Sequence, residues 1–342
     1  MESSFFYKAQ RKIRKYQHKI VLPEGNDERV VGAATRLKNN GIMEPIVLGK
    51  KDEVYKMAQE IGADPEGLMV IDPENYEDYE DLVQALLKRR AGKLDEAKAR
   101  ELLKDVNYFG TMLVYTHRAD GLVSGAVHTT GDTVRPALQI IKVDKRFKKV
   151  SGGYLMIRED EIYVFGDCAI NINPTAEDLA EIAKQSSETA GKYGISPRIA
   201  LLSFSTKGSA KDPLVDKVTQ GLAIAKKKYP ELIIDGELQF DAAFVPEVAQ
   251  KKLKEYSAVS GNANVFIFPD IQAGNIGYKL VQRFGKFEAI GPILQGLNAP
   301  VNDLSRGCNE EDVFKLAIIS SMEAIVHSDR RAADPNYNQF ED

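Results

Sequence analysis

Cysteine is scarce in this sequence, tryptophan is absent, and no apolar stretch approaches the length of a membrane span. Only Cys168 and Cys308 occur among 342 residues. Two cysteines are too few for a disulfide scaffold in a chain of this size, so we expect a reducing compartment and a cytoplasmic location. A bilayer-crossing helix needs about 20 apolar residues, and the basic amino-terminal segment lacks the apolar core of a signal peptide. We therefore predict no membrane partner.

A strong excess of charge of either sign is missing as well. The formal net charge is −4 and the isoelectric point lies near 5.8, which argues against a dedicated nucleic-acid-binding protein. Hydrophobic residues make up 43% and charged residues 28% of the sequence, as in an ordinary globular enzyme. We therefore expect small molecules as partners and no nucleic acid.

Several ligand-binding patterns are absent. The glycine fingerprint GxGxxG of dinucleotide-binding folds does not occur, and neither does the phosphate-binding loop pattern GxxxxGK[ST]. The four histidines are scattered without the spacing of metal ligands. We therefore predict that the protein itself binds no metal.

The chain instead alternates short apolar runs with helical patterns. Lys19–Gly25, Pro45–Gly49 and Leu68–Ile71 read as strands, separated by helical patterns at 27–39 and 52–61. This alternation predicts a parallel α/β sheet. The length exceeds the usual size of a single core, so two domains are expected.

The most distinctive stretch lies in the last quarter of the chain. Two glycines in AGNIGY (273–278) predict a loop with close backbone approach, followed by a helix over Tyr278–Phe284. A second passage rich in Gly, Pro and Asn, 291–302, leads to a long helix over Glu310–His327.

The junction before that long helix carries the strongest chemical pattern. Asn309 is a good N-cap, and Asp312 occupies the place of a capping-box carboxylate. The free N–H groups of a helix start favour anions, and Arg306 offers a forked donor set suited to phosphate. Ser305 adds a hydroxyl and Asp312 a candidate base. The structural alternative is that Asp312 caps the helix, Arg306 pairs with a surface acid and Ser305 turns the chain.

A second candidate anion site lies at residues 125–137. The sequence HTTGDTVRPA places Thr130 and Gly131 before a helix that carries Arg135, which is the pattern of a phosphate cradle. The structural alternative is that Thr130 or Asp132 caps the helix.

Long ungapped stretches resemble one protein family. NVFIFPDIQAGNIGYKLVQR, AIGPILQGL and PVNDLSRGC match the phosphate acetyltransferase (phosphotransacetylase) family, within the wider phosphate acetyl/butyryltransferases. Further matches are LPEG at 22–25, GAVHTTGDTVRPA at 125–137 and a segment at 167–177. The resemblance covers nearly the whole chain.

The resemblance implies two α/β domains with a cleft between them, similar to the isocitrate/isopropylmalate dehydrogenase architecture. In such proteins the final helix returns to the first domain. We therefore expect a discontinuous first domain, 1–148 plus 300–342, and a second domain, 149–299. The loop of Ser305 and Arg306 would then face the loop at 130–135.

The implied activity is reversible acetyl transfer, in which acetyl-CoA and phosphate give acetyl phosphate and CoA. Coenzyme A is a substrate here, and no permanently bound cofactor is expected. The family's roles make Asp312 the base that takes the thiol proton, Ser305 the group that orients the thiol, and Arg306 the stabiliser of the oxyanion or phosphate. By this resemblance the thiolate would attack acetyl phosphate directly in a ternary complex. Cys308 is expected to pack the turn and not to form an acyl-enzyme.

Further contacts follow from the resemblance. Arg135, with Thr130 and Gly131, would contact phosphate or the coenzyme, and one arginine of a basic cluster, Arg89 or Arg90, would help to hold coenzyme A. The expected contacts are completed by three residues of the matching stretches: Asn275, Tyr278 and Asn302. A homodimer is expected from the family alone.

Three other functions stay open. A phosphate butyryltransferase would use the same residues with a larger acyl pocket. A non-catalytic acetyl-CoA-binding module, of the kind attached to malic enzymes, would keep the fold without the chemistry. A β-decarboxylating dehydrogenase would need an acidic metal site and an NAD(P) loop, neither of which is found. The presence of Ser305, Arg306 and Asp312 together favours the acetyltransferase.

Overall fold

The computed structural model describes residues 4–255, 257–334 and 336–340. The chain divides into two compact units. Unit 1 comprises Met1–Arg146 and Leu297–Asp342, and unit 2 comprises Phe147–Gly296. Each unit contains a β-sheet with helices packed on it. The prediction of an α/β fold with two α/β domains is confirmed.

Strands and helices are numbered along the chain. The strands are β1 (Lys19–Leu22), β2 (Glu44–Leu48), β3 (Met69–Ile71), β4 (Gly121–Ser124), β5 (Ser151–Arg158), β6 (Glu161–Gly166), β7 (Ile199–Leu202), β8 (Ile234–Leu238), β9 (Val265–Ile267), β10 (Glu288–Gln295) and β11 (Val301–Asp303). The helices are α1 (Ser4–Ile13), α2 (Glu28–Asn39), α3 (Lys51–Glu60), α4 (Tyr79–Arg89), α5 (Glu96–Leu102), α6 (Val106–Tyr115), α7 (Thr130–Pro136), α8 (Ala176–Lys192), α9 (Pro213–Lys228), α10 (Phe240–Phe244), α11 (Pro246–Lys252), α12 (Ile271–Phe284) and α13 (Glu310–Ala333). A π-helical turn, Ala137–Ile141, directly follows α7.

The sheet of unit 1 is parallel throughout, in the order β11-β4-β1-β2-β3. Its central strands β1 and β4 are short apolar runs, almost entirely buried, as expected for parallel strands covered on both faces. Helix α13 packs against α1 and α2, and helix α4 packs against α5 and α6. α13 is buried from Val313 to Ile325, which makes it a core helix of this unit.

The sheet of unit 2 is mixed, in the order β10-β5-β6-β9-β7-β8. β10, β5 and β6 are antiparallel neighbours, whereas β6, β9, β7 and β8 run parallel. The charged turn between Arg158 and Glu161 joins β5 to β6 as a hairpin. An aromatic cluster that includes Phe165, Phe266 and Phe268 forms much of the core.

The chain leaves unit 1 and returns to it at neighbouring points. Val143 pairs with Leu297 in an isolated antiparallel bridge. Asn298 Nδ2 donates to the backbone carbonyls of Ile141, Lys142 and Val143 at 3.2 to 3.3 Å. The outgoing and returning segments of unit 1 are therefore hydrogen-bonded to each other.

Helix α12 corrects the prediction for the AGNIGY segment. The helix begins at Ile271 because Asp270 caps it, accepting a hydrogen bond from Ala273 N at 2.9 Å. The two glycines lie inside the helix and not in a loop. The close approach predicted from them is present, since a Cβ on Gly274 would lie 3.1 Å from Cys168.

Other elements also differ from the prediction. The passage at 291–302 holds the end of β10 and the start of β11, and α13 continues to Ala333. Helix α6 was not predicted, because eight of its ten residues are buried and its sequence therefore lacks an amphipathic pattern. None of the described helices combines the length and apolar character needed to cross a bilayer.

Candidate active site

Three strand ends meet at one edge of the unit 1 sheet. β11, β4 and β1 are parallel neighbours, so their carboxyl ends share an edge, which is where open α/β sheets bind ligands. β1 leads into α2, β4 into α7 and β11 into α13. The unpaired N–H groups of the first helical turns therefore also lie at this edge, where they favour anions. We call the loops 23–27, 124–129 and 304–309, with the helix starts that follow them, the strand-end site.

Arg29, in the first turn of α2, joins these three loops. Its Nη1 donates to the backbone carbonyls of Arg306 and Cys308, both at 2.9 Å. Its Nη2 donates to Ala126 O at 2.8 Å and to Asp27 Oδ2 at 2.7 Å. The guanidinium thereby holds the pKa of Asp27 below its usual range through hydrogen bonding. Arg29 was not predicted from the sequence, because no motif marks a residue that acts through backbone carbonyls.

Ser305 and Arg306 lie at the surface of the strand-end site. Both residues are exposed, and Ser305 Oγ accepts a hydrogen bond from Gly307 N at 3.3 Å. The Arg306 guanidinium makes no hydrogen bond or ion pair with any residue that the structure describes. An exposed, forked donor without a protein partner is free to bind a carboxylate or phosphate.

Asp312 caps helix α13. Its Oδ2 accepts from Asn309 N, and Asn309 Oδ1 accepts from Asp312 N, both at 2.9 Å. This reciprocal pair is the capping box predicted from the sequence. Asp312 Oδ1 has no hydrogen-bond partner within the described part of the chain. One oxygen can therefore cap the helix while the other accepts a proton.

Cys308 is buried directly beside this helix start. Burial raises the pKa of its thiol to about 11, and the negative charge of Asp312 adds to that rise, while the nearby Arg29 lowers it in part. Since the thiolate is the nucleophilic form of cysteine, these surroundings disfavour nucleophilic attack by Cys308. This agrees with the expectation that Cys308 packs the turn.

The loop before α7 and the loop after β11 are neighbours. Thr130 Oγ1 donates to Asp303 Oδ2 at 2.6 Å, and Leu304 N donates to Ser124 O at 2.7 Å. Asp303 is buried, and burial raises the pKa of its carboxyl to about 6, although the hydrogen bond from Thr130 works in the opposite direction. The Asp303 carboxyl thus holds the Thr130 side chain in place through this hydrogen bond.

Gly131 and Arg135 lie on the exposed side of α7. The first turn of this helix is closed by a capping box between Thr129 and Asp132. The Arg135 guanidinium makes no hydrogen bond or ion pair among the residues with described positions. A second free guanidinium is therefore available beside Thr130.

Arg89 does not have a free guanidinium. Its Nε donates to Ile140 O at 2.7 Å, and its other nitrogens donate to Ile141 O at 3.3 Å and Phe340 O at 3.4 Å. The guanidinium also lies 4.9 Å from the centre of the Tyr115 ring. These bonds close the π-helical turn, so the structure does not support the prediction that Arg89 contacts coenzyme A.

Arg90 is the better candidate of the two. Its buried Nε has no partner within the described residues. Burial raises the pKa of Tyr108, and the charges of Arg135 and Arg90 partly offset this rise. The positive charges of Arg90 and Arg135 therefore both act on Tyr108.

The comparison with known proteins identifies the family. The phosphate acetyl/butaryl transferase family matches residues 4–321. The phosphate acetyltransferase of Bacillus subtilis (strain 168) is 56% identical over 323 residues, which cover 94% of this chain and 100% of that relative. The chain belongs to the phosphate acetyl/butaryl transferase family. A phosphotransacetylase crystal structure from Streptococcus pyogenes matches with a TM-score of 0.90 and 56% identity, covering 94% of this chain and 98% of that chain.

The fold of this member of the phosphate acetyl/butaryl transferase family extends beyond the family. A 4-hydroxythreonine-4-phosphate dehydrogenase from Burkholderia phymatum has a TM-score of 0.54 at 12% identity, covering 90% of this chain and 98% of that chain. At this identity the likeness concerns the fold alone. It agrees with the dehydrogenase-like architecture predicted from the sequence.

The structure corrects the prediction for Asn302. The side chain is fully buried and donates to Ser320 Oγ at 2.8 Å and to Glu323 Oε2 at 2.7 Å. It ties β11 to α13. An enclosed amide that is already bonded does not reach a ligand, so the structure does not support the prediction that Asn302 contacts substrate.

Asn275 and Tyr278 belong to α12 of unit 2. Asn275 Nδ2 donates to Cys168 O at 3.2 Å, and the Tyr278 ring stacks on Tyr154 with centroids 4.1 Å apart. Both side chains are half-buried, and their contact with substrate stays a prediction. In the described ranges, no group of three or more His, Cys, Asp or Glu side chains is placed to hold a metal ion.

Proposed function

We propose that this chain is a phosphate acetyltransferase, which transfers an acetyl group reversibly between coenzyme A and inorganic phosphate. The observation that carries the proposal is the Arg306 guanidinium, exposed and without a partner in the described part of the chain, at the start of the helix that presents Asp312. The relatives that favour acetyl over butyryl transfer are phosphate acetyltransferases that are 54–56% identical. The presence of Ser305, Arg306 and Asp312 argues against a non-catalytic binding module.

The thiol of coenzyme A requires activation. A thiol with a pKa of about 8.5 is only a few per cent ionised near neutrality. Asp312 takes the thiol proton through the carboxylate oxygen that does not cap α13, and Ser305 orients the sulfur. A positioned base of this kind contributes about 10²–10⁴-fold to the rate.

The acyl group passes directly from phosphate to sulfur. The thiolate attacks the carbonyl carbon of acetyl phosphate in a ternary complex, and Arg306 stabilises the negative charge that develops on oxygen. The raised pKa of the buried Cys308 thiol supports this direct route over an acyl-enzyme.

The coenzyme and the phosphate are bound by arginine side chains of unit 1. Arg135 and Thr130, of α7, contact phosphate or the coenzyme, and of the two arginines left open, Arg89 and Arg90, Arg90 helps to hold the coenzyme. Coenzyme A acts as a substrate, and no permanent cofactor is part of the proposal.

A homodimer is also proposed. Three apolar side chains of α12 at a spacing of four residues are exposed: Ile276 by 56%, Leu280 by 49% and Phe284 by 84%. An apolar stripe of this kind is typical of a protein–protein interface. Size-exclusion chromatography with light scattering tests the dimer, and a Phe284→Glu variant tests the stripe.

Two further parts of the proposal concern domains and location. We keep the predicted domains, 1–148 plus 300–342 and 149–299. Their support is that the chain divides into compact units within three residues of these boundaries, between Arg146 and Phe147 and between Gly296 and Leu297. A cytoplasmic location is supported by the two cysteines, which are both free and buried.

The test is acetyl-CoA formation from acetyl phosphate and CoA by the purified protein. Arg306→Ala is expected to lower kcat by about 10²–10³-fold. Its unfolding midpoint should not change, because the guanidinium forms no hydrogen bond or ion pair with a described residue. Arg14→Ala, which removes an exposed arginine of the α1 region, serves as the control. An inactive wild-type protein would refute the function, and a fully active Arg306→Ala variant would remove Arg306 from the mechanism.

A further inference from the structure

Glu24, the third residue of the LPEG motif, organises the loop after β4. It is almost fully buried, and its carboxylate accepts hydrogen bonds from the backbone N–H groups of four consecutive residues, Gly125 to His128, at 2.8 to 3.2 Å. Glu24 Oε1 also lies 2.8 Å from His128 Nδ1. A buried carboxylate is tolerated when its oxygens are fully bonded. Glu24 therefore fixes both the path of the loop and the orientation of the His128 ring.

His128 belongs to the strand-end site, and its second ring nitrogen is not held by Glu24. A carboxylate only accepts hydrogen bonds, so Nδ1 carries the proton that it shares with Glu24, and Nε2 is left for another partner. Nε2 has no partner among the residues that the structure describes, and the side chain is 29% exposed. The same loop is tied to the backbone of Arg306 by Arg29, which bonds the carbonyls of Ala126 and Arg306.

The other three histidines are remote from this edge. His18 precedes β1 and is buried, with its ring nitrogens bonded to Ser321 and Ser328. His117 precedes β4 and packs against Phe340. His327 lies near the far end of α13. His128 is therefore the histidine at the carboxyl ends of the strands.

The proposed reaction needs a second proton carrier, and this inference rests on that reaction. When the thiolate attacks acetyl phosphate, the bond between the acyl carbon and the bridging oxygen breaks, and its electron pair stays on the phosphate oxygen. Without a proton the phosphate would leave as a trianion, which is a strong base and a poor leaving group. Asp312 has just taken the thiol proton, so the departing phosphate requires a separate acid.

We propose that His128, oriented by Glu24, is a catalytic residue that carries a proton on both ring nitrogens before the transfer and donates the one on Nε2 to the departing phosphate oxygen. The sulfur–carbon bond forms, the carbon–oxygen bond breaks, and the transferred proton gives hydrogen phosphate. Asp312 then loses the thiol proton to water, and His128 regains a proton from water, so the protein is unchanged. In the reverse direction Nε2 takes the proton from hydrogen phosphate as it attacks acetyl-CoA. The charged groups around the ring are Glu24, Asp132 and, through Ala126, Arg29.

Two substitutions separate proton transfer from loop support. In His128→Asn the amide nitrogen can still donate to Glu24, as Nδ1 does, but nothing replaces Nε2. In His128→Gln the amide can donate from near the Nε2 position but cannot release a proton. His327→Asn is the control for loss of a histidine elsewhere. The measurements are kcat and KM for both substrates across pH, the solvent isotope effect and the urea midpoint.

His128→Asn is expected to keep its urea midpoint and its KM values within about 3-fold, and to lose about 10²–10⁴-fold in kcat together with one limb of the pH–rate profile. His128→Gln is expected to show a similar loss. If either variant keeps kcat within about 3-fold of the wild type, the inference is wrong. An inactive wild-type protein would refute the proposed function and this inference with it, whereas an active wild type with active variants refutes the inference alone.

Discussion

The clamp formed by Arg29 offers the most direct test of how the strand-end site is held together. Arg29 donates to three backbone carbonyls in two loops, those of Ala126, Arg306 and Cys308. Arg29→Met removes all of these bonds. Arg29→Lys keeps the positive charge, but an ammonium group is a compact charge without the planar fork and does not span the same acceptors.

The expected losses follow from these contacts. Each half-buried hydrogen bond contributes about 1 kcal/mol net, and the partly exposed ion pair with Asp27 adds little. Arg29→Met should therefore lower the free energy of unfolding by about 2–4 kcal/mol. Because the loop of Ser305 and Arg306 loses its anchor, kcat should also fall by about 10–100-fold, which corresponds to about 1.4–2.7 kcal/mol of lost transition-state stabilisation.

Initial rates of acetyl-CoA formation and urea unfolding of each variant measure the two effects. Arg36→Met is the matched control, because Arg36 also joins α2 to α13, through Glu311, without touching the loops. We expect this control to lose some stability and to keep its kcat. Arg29→Lys should resemble Arg29→Met in kcat if the clamp is geometric. A lysine variant with wild-type kcat would show that Arg29 acts only through its charge, and a methionine variant with wild-type kcat would refute the clamp.

Three further predictions concern single side chains. Arg90→Ala should raise the KM for CoA by about 10-fold or more with unchanged stability, whereas Arg89→Ala should lower stability by about 1–3 kcal/mol with an unchanged KM; the opposite pattern would reverse the assignment. Cys308→Ala should keep kcat within about 3-fold, because the thiol is mostly un-ionised at neutral pH; a variant that binds CoA but never turns over would contradict direct transfer. Burial raises the pKa of Asp303 from 3.8 to about 6, so the folded state holds this proton more tightly and stability falls as pH rises between those values. The stability of Asp303→Asn should not fall in this way, so its free energy of unfolding relative to that of the wild type should rise by about 2–3 kcal/mol between about pH 4 and pH 7. Urea unfolding of both proteins across this pH range measures the difference. If the two stability–pH curves run parallel, the raised pKa of Asp303 is refuted.

The sequence predicted the elements whose pattern is local. Capping residues such as Asn309 and Asp312 are visible three positions apart, and the alternation of apolar runs and amphipathic helices gave the parallel sheet of unit 1. Helix α6 was not predicted, because burial of nearly all its residues removes the periodicity on which the prediction of a helix depends. The start of α12 at Ile271 was not predicted, because glycines that allow close packing of a helix cannot be told from glycines of a loop in the sequence.

The candidate site was predictable only where a residue acts through its own exposed side chain. Ser305 and Arg306 fit this description, and they lie exposed at the strand-end site. Asn302 sits in an equally specific motif and Arg89 in a basic cluster, but their donors are taken by Glu323 and by the carbonyl of Ile140. Whether an amide or a guanidinium turns inward is decided by residues far away in the chain, and spacing does not report it.

The hydrogen-bonded pairing of Asn298 with the segment at 141–143 has a consequence for biosynthesis. The ribosome makes β11 and α13 only after the whole of unit 2, so the growing chain passes through a state in which β4 is an uncovered sheet edge. Closing this gap brings together segments about 150 residues apart, at an entropic cost that grows slowly with length. The nascent protein therefore acquires Ser305, Arg306 and Asp312 late, and a chain interrupted within unit 2 would carry an incomplete sheet and lack these three proposed site residues.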